Sequence, residues 1–199
     1  MSEIPLVLVH GLWDKPQLFN RLENRIAKNK PNRFVPHLQH NLGAIGLDKL
    51  ALKLDKFINE KYGSDQELDI LGFSMGGIIS RIWIQQLNGY KRTRRFICVG
   101  SPQKGTLAAQ LIPEWLLPGI AQMKLGSKLL GKLNKEYEQL NSVECNSYYC
   151  KTDITVFPGW RAVLPVGTCE ALPVWTHRQL IVHSLAIERI SQLLLAQQA

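Results

Sequence analysis

Short apolar runs alternate with amphipathic stretches along most of the chain. Almost every residue from Ile4 to Val9 is apolar, and such a run is typical of a strand buried on both faces of a parallel sheet. Comparable runs predict strands at 4–9, 34–38, 67–71, 95–99, 146–150 and 171–175. Between them, apolar residues at helical spacing predict helices at 16–26, 47–62, 75–87 and 184–195. This alternation favours an α/β fold with a mostly parallel sheet of about six strands and helices on both faces, whose ligand crevice lies at the carboxyl ends of the strands.

The segment from Leu107 to Leu140 interrupts this alternation. Its pattern is mostly helical and strongly apolar, and Trp115 and Leu116 lie in its densest apolar cluster. We expect a short helical insertion over the crevice, acting either as a lid and acyl-chain pocket or as ordinary packing helices. The rest of the chain contains no repeat or linker, so residues 1–199 are expected to form a single domain.

The composition is that of a globular protein and gives no sign of a nucleic-acid partner. With 199 residues, 45% of them hydrophobic, the chain can bury one sizeable core. The net charge of +8 is densest at residues 91–95, where a solvated turn is more common than a nucleic-acid or lipid patch. We therefore expect no nucleic-acid partner, at most a weak association with a membrane surface, and no obligate protein partner. The first residues lack the pattern of a secretion signal, which predicts a soluble cytoplasmic protein.

A glycine-flanked serine is the most informative motif. Residues 72–76 read Gly-Phe-Ser-Met-Gly and lie between a predicted strand and a predicted helix. This is the pattern of a nucleophile elbow, in which the glycines permit a sharp strand-to-helix turn and the serine hydroxyl stands free at the helix N-terminus. The motif predicts Ser74 as a catalytic nucleophile.

A serine nucleophile needs a base and a buried acid, which in this fold follow it in the order acid, then histidine. Asp153 is the single aspartate between Ser74 and the C-terminal histidines, and it follows a predicted strand. Glu170 is the rival acid, but it precedes the last predicted strand. For the base, His177 follows that strand and is favoured over His183, which begins the final helix. The earlier His37 and His40 are expected to be loop residues.

Acyl transfer also needs hydrogen-bond donors for the negative oxygen of the tetrahedral intermediate. The Met75 backbone amide is one candidate, and the Leu12 amide, in the loop after the first strand, is the second. Their neighbours Trp13 and Phe73 are candidate substrate-binding residues, together with the two insertion residues Trp115 and Leu116. No metal ligand or organic cofactor is expected, and the four cysteines match neither a disulfide framework nor a zinc-binding spacing.

Over nearly its whole length the chain resembles a small bacterial lipase or esterase of the α/β-hydrolase superfamily. The resemblance lies in residues 7–11, 72–77 and 100–102, and it implies a minimal α/β-hydrolase fold that lacks the first two strands of larger members. It departs at Phe73, where such lipases often have histidine, and at Thr176, where they often have glycine. It implies cleavage of small-molecule or lipid esters through an acyl-enzyme on Ser74. Thioester or amide hydrolysis, and a catalytically silent fold that binds lipid or protein, remain alternatives.

Overall fold

Parallel strands build a single twisted sheet in the computed structural model, which describes residues 4–196. The strands pair in the order β2-β1-β3-β4-β5-β6, each in parallel with its neighbour. Their bounds are β1 Leu6–Val9, β2 Arg33–Phe34, β3 Leu68–Phe73, β4 Thr93–Val99, β5 Glu144–Tyr149 and β6 Thr168–Ala171. The predicted α/β class with a parallel sheet of six strands is therefore confirmed.

Helices cover both faces of this sheet. Their bounds are α1 Asn20–Ile26, α2 Leu47–Tyr62, α3 Met75–Gln86, α4 Pro118–Ala121, α5 Lys128–Lys135, α6 Gln179–Val182 and α7 Ser184–Leu195. In β1, Val7 and Val9 pack with α2 and α3, whereas Leu6 and Leu8 pack with α1 and α7. Successive side chains of a strand point to opposite faces, so an unbroken apolar run serves two cores at once. Among residues 4–196, no helix combines the length and the apolar composition of a membrane span.

The prediction of a last strand at 171–175 is wrong. The strand β6 ends at Ala171, and the apolar residues Leu172 and Val174 belong to the loop after it, where they are buried in the core. Because β6 is an edge strand, its first residues, Thr168 and Cys169, are exposed and carry no apolar pattern. The local apolar run therefore marks a buried loop, and the strand itself lies just before it.

Two other elements differ from their predictions. The second strand, predicted at 34–38, consists of Arg33–Phe34 alone, and Pro36, which lacks an amide hydrogen, follows soon after. The insertion at 107–140 is less helical than predicted: besides α4 and α5 it contains the short 3₁₀ segment Leu107–Ala109 and the first part of a second one, Glu138–Ser142.

The basic cluster at 91–95 forms the predicted turn only at Lys91, which is exposed, and Arg92; from Thr93 onward the cluster belongs to β4. Arg94 and Arg95 lie within β4, and Arg95 is almost fully buried. The Arg94 guanidinium binds the buried carboxylate of Asp69, which also accepts a bond of 3.1 Å from Lys30 Nζ. Arg95 Nε lies 2.8 Å from Glu144 Oε1 on β5. Carboxylates on neighbouring strands thus pair with the strand arginines.

Close packing of β3 against α3 makes Gly72 sensitive to substitution. A Cβ at Gly72 would lie 2.4 Å from Gly77 Cα, a backbone atom that cannot move aside without shifting the helix. We expect Gly72→Ala to lower the free energy of unfolding by about 1–3 kcal/mol or more in urea titrations. The exposed helix residue Gly131 has nothing within 4 Å of its Cβ position. Gly131→Ala should raise stability by about 0.5–1 kcal/mol, and equal effects of the two substitutions would contradict this account.

Candidate active site

Ser74 occupies the turn between β3 and α3. Its backbone has φ 54° and ψ −127°, a region that non-glycine residues rarely adopt and that marks stored strain. The Ser74 amide donates to the Val99 carbonyl at 2.9 Å, which ties the turn to β4. The first turn of α3 crosses β1 so closely that a Cβ at Gly76 would lie 2.1 Å from the Val9 carbonyl oxygen. These contacts hold the serine at the helix N-terminus, on the carboxyl edge of the sheet.

Asp153 and His177 form a hydrogen-bonded pair at the same edge. Asp153 Oδ2 lies 2.7 Å from His177 Nδ1, and only 1% of Asp153 is exposed. The other carboxylate oxygen, Oδ1, accepts from the amides of Thr155 and Val156 at 2.8 and 3.0 Å. Because both oxygens are engaged, the carboxylate has a fixed orientation and directs the proton of the histidine ring to Nδ1.

The second ring nitrogen of His177 remains open. His177 Nε2 is buried and has no hydrogen-bond partner within residues 4–196, and His177 and Ser74 line the same pocket. The ring of Phe73 packs against the imidazole, with the centroids 4.9 Å apart. Nε2 is therefore a free acceptor on a residue that shares the pocket with Ser74, and it makes no hydrogen bond to the serine hydroxyl in this structure.

The rival residues lie in other settings. Glu170 is in β6, where its carboxylate binds Arg189 through two hydrogen bonds of 2.9 and 3.0 Å. His183 caps the N-terminus of α7, with Nδ1 accepting from the Leu185 amide at 3.3 Å. Neither side chain is among the residues that line the pocket of Ser74.

The pocket beside Ser74 is mainly apolar and includes several residues that the sequence did not single out. Of the predicted substrate contacts it contains Trp13 and Phe73, whereas Trp115 and Leu116 are exposed and lie outside its lining. Met75 is fully buried at the start of α3. The lining consists of Leu12, Trp13, Asp14, Phe73, Ser74, Pro102, Thr106, Met123, Thr155, Val156, His177 and Arg178.

Asp14 and Arg178 add charge to the mouth of the pocket. Arg178 Nη1 lies 3.5 Å from Asp14 Oδ1, and the Arg178 side chain is largely exposed. Burial raises the pKa of Asp14, and the positive charge of Arg178 opposes that rise. Neither residue belongs to a spacing motif, so no pattern along the chain could have indicated this pair.

A buried arginine anchors the second half of the insertion. Arg81, on α3, donates to the Leu133 carbonyl at 2.7 Å and to Asn134 Oδ1 at 2.9 Å. Desolvation lowers the pKa of Arg81 to about 10, so the guanidinium remains charged at neutral pH. In contrast, Leu111 is 93% exposed and Trp115 is 83% exposed. The insertion is thus fixed at α5 and exposed over its first part.

A parallel sheet with a serine at a strained strand-to-helix turn, and an aspartate–histidine pair at the same edge, defines the α/β-hydrolase superfamily. The family model for palmitoyl protein thioesterase matches residues 5–156, which include Ser74 and Asp153 and end before His177. The chain belongs to the palmitoyl protein thioesterase family. Family and fold together support hydrolase activity in general. A search of curated proteins gave no match.

Solved structures share the fold at low sequence identity. The mature form of the Bacillus licheniformis lipase BlEst2 is 19% identical, with a TM-score of 0.76 over 97% of this chain and 92% of that one. Aspergillus fumigatus lipase B is 17% identical, with a TM-score of 0.76 over 94% of this chain and 51% of that one. A bromoperoxidase from Bacillus anthracis is 14% identical, with a TM-score of 0.67 over 98% and 91%. At such identities these matches establish the fold alone.

Two buried histidines near the pocket predict a pH-dependent stability. The pKa of His10 and the pKa of His40 are both lowered, mainly by desolvation, and each Nε2 accepts a backbone N–H that protonation would displace. A depressed histidine pKa favours folding above the unfolded value of about 6.5, and that contribution is lost as the pH falls. We expect the free energy of unfolding in urea to fall between pH 7.5 and pH 5.5.

His40→Gln should weaken this dependence, because glutamine does not titrate. Substitution of the exposed neighbour His37 by glutamine provides the control and should leave most of the dependence in place. A stability profile that is flat between these pH values would contradict the assignment of neutral, buried imidazoles.

Proposed function

We propose that the chain is a serine hydrolase that cleaves carboxylic esters through an acyl-enzyme on Ser74. The observation that most supports this is the Asp153–His177 hydrogen bond, which leaves His177 Nε2 as an acceptor in the pocket of the serine. In the first step Nε2 takes the proton of Ser74 Oγ as the oxygen attacks the acyl carbon. His177 then returns the proton to the leaving alcohol, and water, activated by the same ring, hydrolyses the acyl-enzyme.

The negative oxygen of each tetrahedral intermediate requires donors beside Ser74. We assign these to the backbone amides of Leu12 and Met75. Met75 begins α3 directly after the nucleophile, and the loop that contains Leu12 touches the serine, since a Cβ at Gly11 would lie 2.9 Å from Ser74 Cβ. The Leu12 amide, from the loop after β1, and the Met75 amide, from α3, would then both donate to the negative oxygen of the intermediate.

The apolar wall suits an acyl chain. Leu12, Met123 and Val156 line the pocket, and Met123 belongs to the insertion at 107–140. We propose that Trp115 and Leu116, exposed in the first part of the insertion, contact the far end of a long acyl chain. The first part of the insertion would then act as a lid.

Thioester hydrolysis is a second candidate, which the family match favours. The proposed triad does not distinguish an alcohol from a thiol leaving group, because His177 protonates either. Rates on matched p-nitrophenyl and thiol esters of the same acyl chain decide between the two. A catalytically silent fold is disfavoured because the serine, the acid and the histidine are all present and the latter two are hydrogen-bonded.

The triad assignment is tested by labelling and turnover together. Ser74→Ala should abolish covalent labelling by a fluorophosphonate, with mass spectrometry locating the label on Ser74 in the parent protein. Asp153→Asn should reduce kcat roughly 10⁴-fold, because an amide cannot hold the histidine tautomer or stabilise its cation. His177→Ala should have an effect of similar size. His183→Ala is the matched control and should cost only about 1 kcal/mol of stability through its lost helix cap.

An inactive His183→Ala variant together with an active His177→Ala variant would contradict the assignment of His177 as the base. If Ser74→Ala is still labelled, Ser74 is not the nucleophile, and the proposed reaction is wrong.

We further propose a weak association with an anionic membrane surface through the rim, the exposed surface formed by Trp13, Trp115, Trp160 and Trp175. Four of the five tryptophans are 51–83% exposed. They are Trp13 in the loop after β1, Trp115 in the insertion, Trp160 in the 3₁₀ segment Gly159–Ala162 between β5 and β6, and Trp175 in the loop after β6. Lys104 and Arg161 lie over the Trp160 ring, at 5.4 and 4.9 Å from its centroid. Exposed indoles beside basic side chains are typical of surfaces that bind the lipid interface.

Vesicle sedimentation checks this association. Binding of the double variant Trp160→Ser, Trp175→Ser to phosphatidylglycerol vesicles should be weakened by about tenfold or more, since two interfacial indoles contribute more than about 1.4 kcal/mol. Leu52→Ser, an exposed position on α2, is the control and should bind like the parent protein. Equal binding by all three proteins, or no binding to anionic vesicles at low salt, would exclude the rim as a lipid surface.

A further inference from the structure

The loop after β1 contains a strained residue beside the serine. Trp13 has φ 62°, in the left-handed region, where a bulky side chain is rare and the backbone costs of order 1–3 kcal/mol. Such a conformation persists only when surrounding contacts hold it. Trp13 also directly follows Leu12, whose amide is the proposed donor from this loop.

A buried histidine from a distant loop makes such a contact. The Trp13 amide donates to His40 Nε2 at 3.1 Å, and His40 is only 8% exposed. The backbone of His40 is itself fixed, because its carbonyl accepts from the amides of Gly43 and Ile45 at 2.9 and 3.3 Å. These bonds fix the position of His40, and with it the position of the acceptor Nε2.

The Gly11–Leu12 peptide is held by a second imidazole, that of His10. His10 Nδ1 lies 3.0 Å from the Gly11 carbonyl oxygen, and His10 Nε2 accepts from the Leu38 amide at 3.2 Å. Because Nε2 accepts, the ring proton is on Nδ1 and is donated to Gly11. In a trans peptide the C=O and N–H point in opposite directions, so this bond turns the Leu12 N–H away from His10. The peptides on both sides of Leu12 are thus each fixed by one imidazole.

We propose that His40 is a positioning residue, which keeps the Leu12 amide aimed at the reacting oxygen by holding the Trp13 amide. Without this acceptor, Trp13 relaxes towards negative φ and the Leu12–Trp13 peptide rotates. Because that peptide shares the Leu12 Cα with the Gly11–Leu12 peptide, the rotation displaces the Leu12 N–H from Ser74, and the bond from His10 Nδ1 to the Gly11 carbonyl is the one imidazole contact left to oppose it. The inference rests on the proposed acyl-enzyme mechanism.

Two substitutions of similar size separate this role from packing. Glutamine at position 40 fills the site and offers an oxygen acceptor near the place of Nε2, whereas methionine fills it without a comparable acceptor. We expect His40→Met to lower kcat on a p-nitrophenyl ester about tenfold or more, below the 10²–10³-fold cost of deleting a donor outright, with KM nearly unchanged. His40→Gln should retain kcat within about threefold.

A tetrahedral boronic acid adduct of Ser74 provides a second readout, because it uses the same donors as the intermediate. Its affinity should fall in His40→Met in proportion to kcat/KM and should be retained in His40→Gln. Equal kcat values for the two variants, whether both high or both low, overturn the proposal. A Ser74→Ala variant that remains active overturns the underlying mechanism instead, so the two failures are distinguishable.

Discussion

The close approach of α3 to β1 and β3 is the constraint on which the site depends. Only glycine allows it: side chains at Gly72 and Gly76 would overlap the helix backbone and the Val9 carbonyl, respectively. The crossing forces the sharp turn at Ser74 and brings the start of α3 next to the loop that follows β1. The nucleophile and two candidate donors therefore meet because helix and strands are packed without intervening side chains.

The strand-to-helix turn and the acid Asp153 were predictable because their signals are local, whereas His177 was chosen for following the apolar run at 171–175, which is a buried loop and not the last strand. The glycine spacing around Ser74 and the position of Asp153 after a strand can both be seen in a few residues of sequence. The position of β6 could not be predicted in this way, since an edge strand exposes one side and loses the apolar pattern that marks its neighbours. The apolar run at 171–175 instead reflects burial of a loop.

Long-range pairing explains the other differences between sequence and structure. Arg94 and Arg95 looked like part of a solvated turn because their carboxylate partners are 25 and 49 residues away along the chain. His40 is 27 residues away along the chain from Trp13, whose amide donates a hydrogen bond to it. Such contacts depend on which loops share an edge of the sheet, and that is decided by strand order rather than by spacing. The residues that support the site are for this reason harder to find than those proposed to react.

The two parts of the insertion differ in how tightly they are held to the rest of the protein, and this decides where the sequence can be changed to alter substrate selectivity. The half that contains α5 is joined to α3 through the buried Arg81, so changes there disturb the helix that follows the nucleophile. Leu111, Trp115 and Leu116 are exposed, whereas Ile112 and Leu117 pack against the core. Residues 113–116 are all exposed, so loop exchange confined to them removes little buried surface and is a design route to altered selectivity with little thermodynamic penalty.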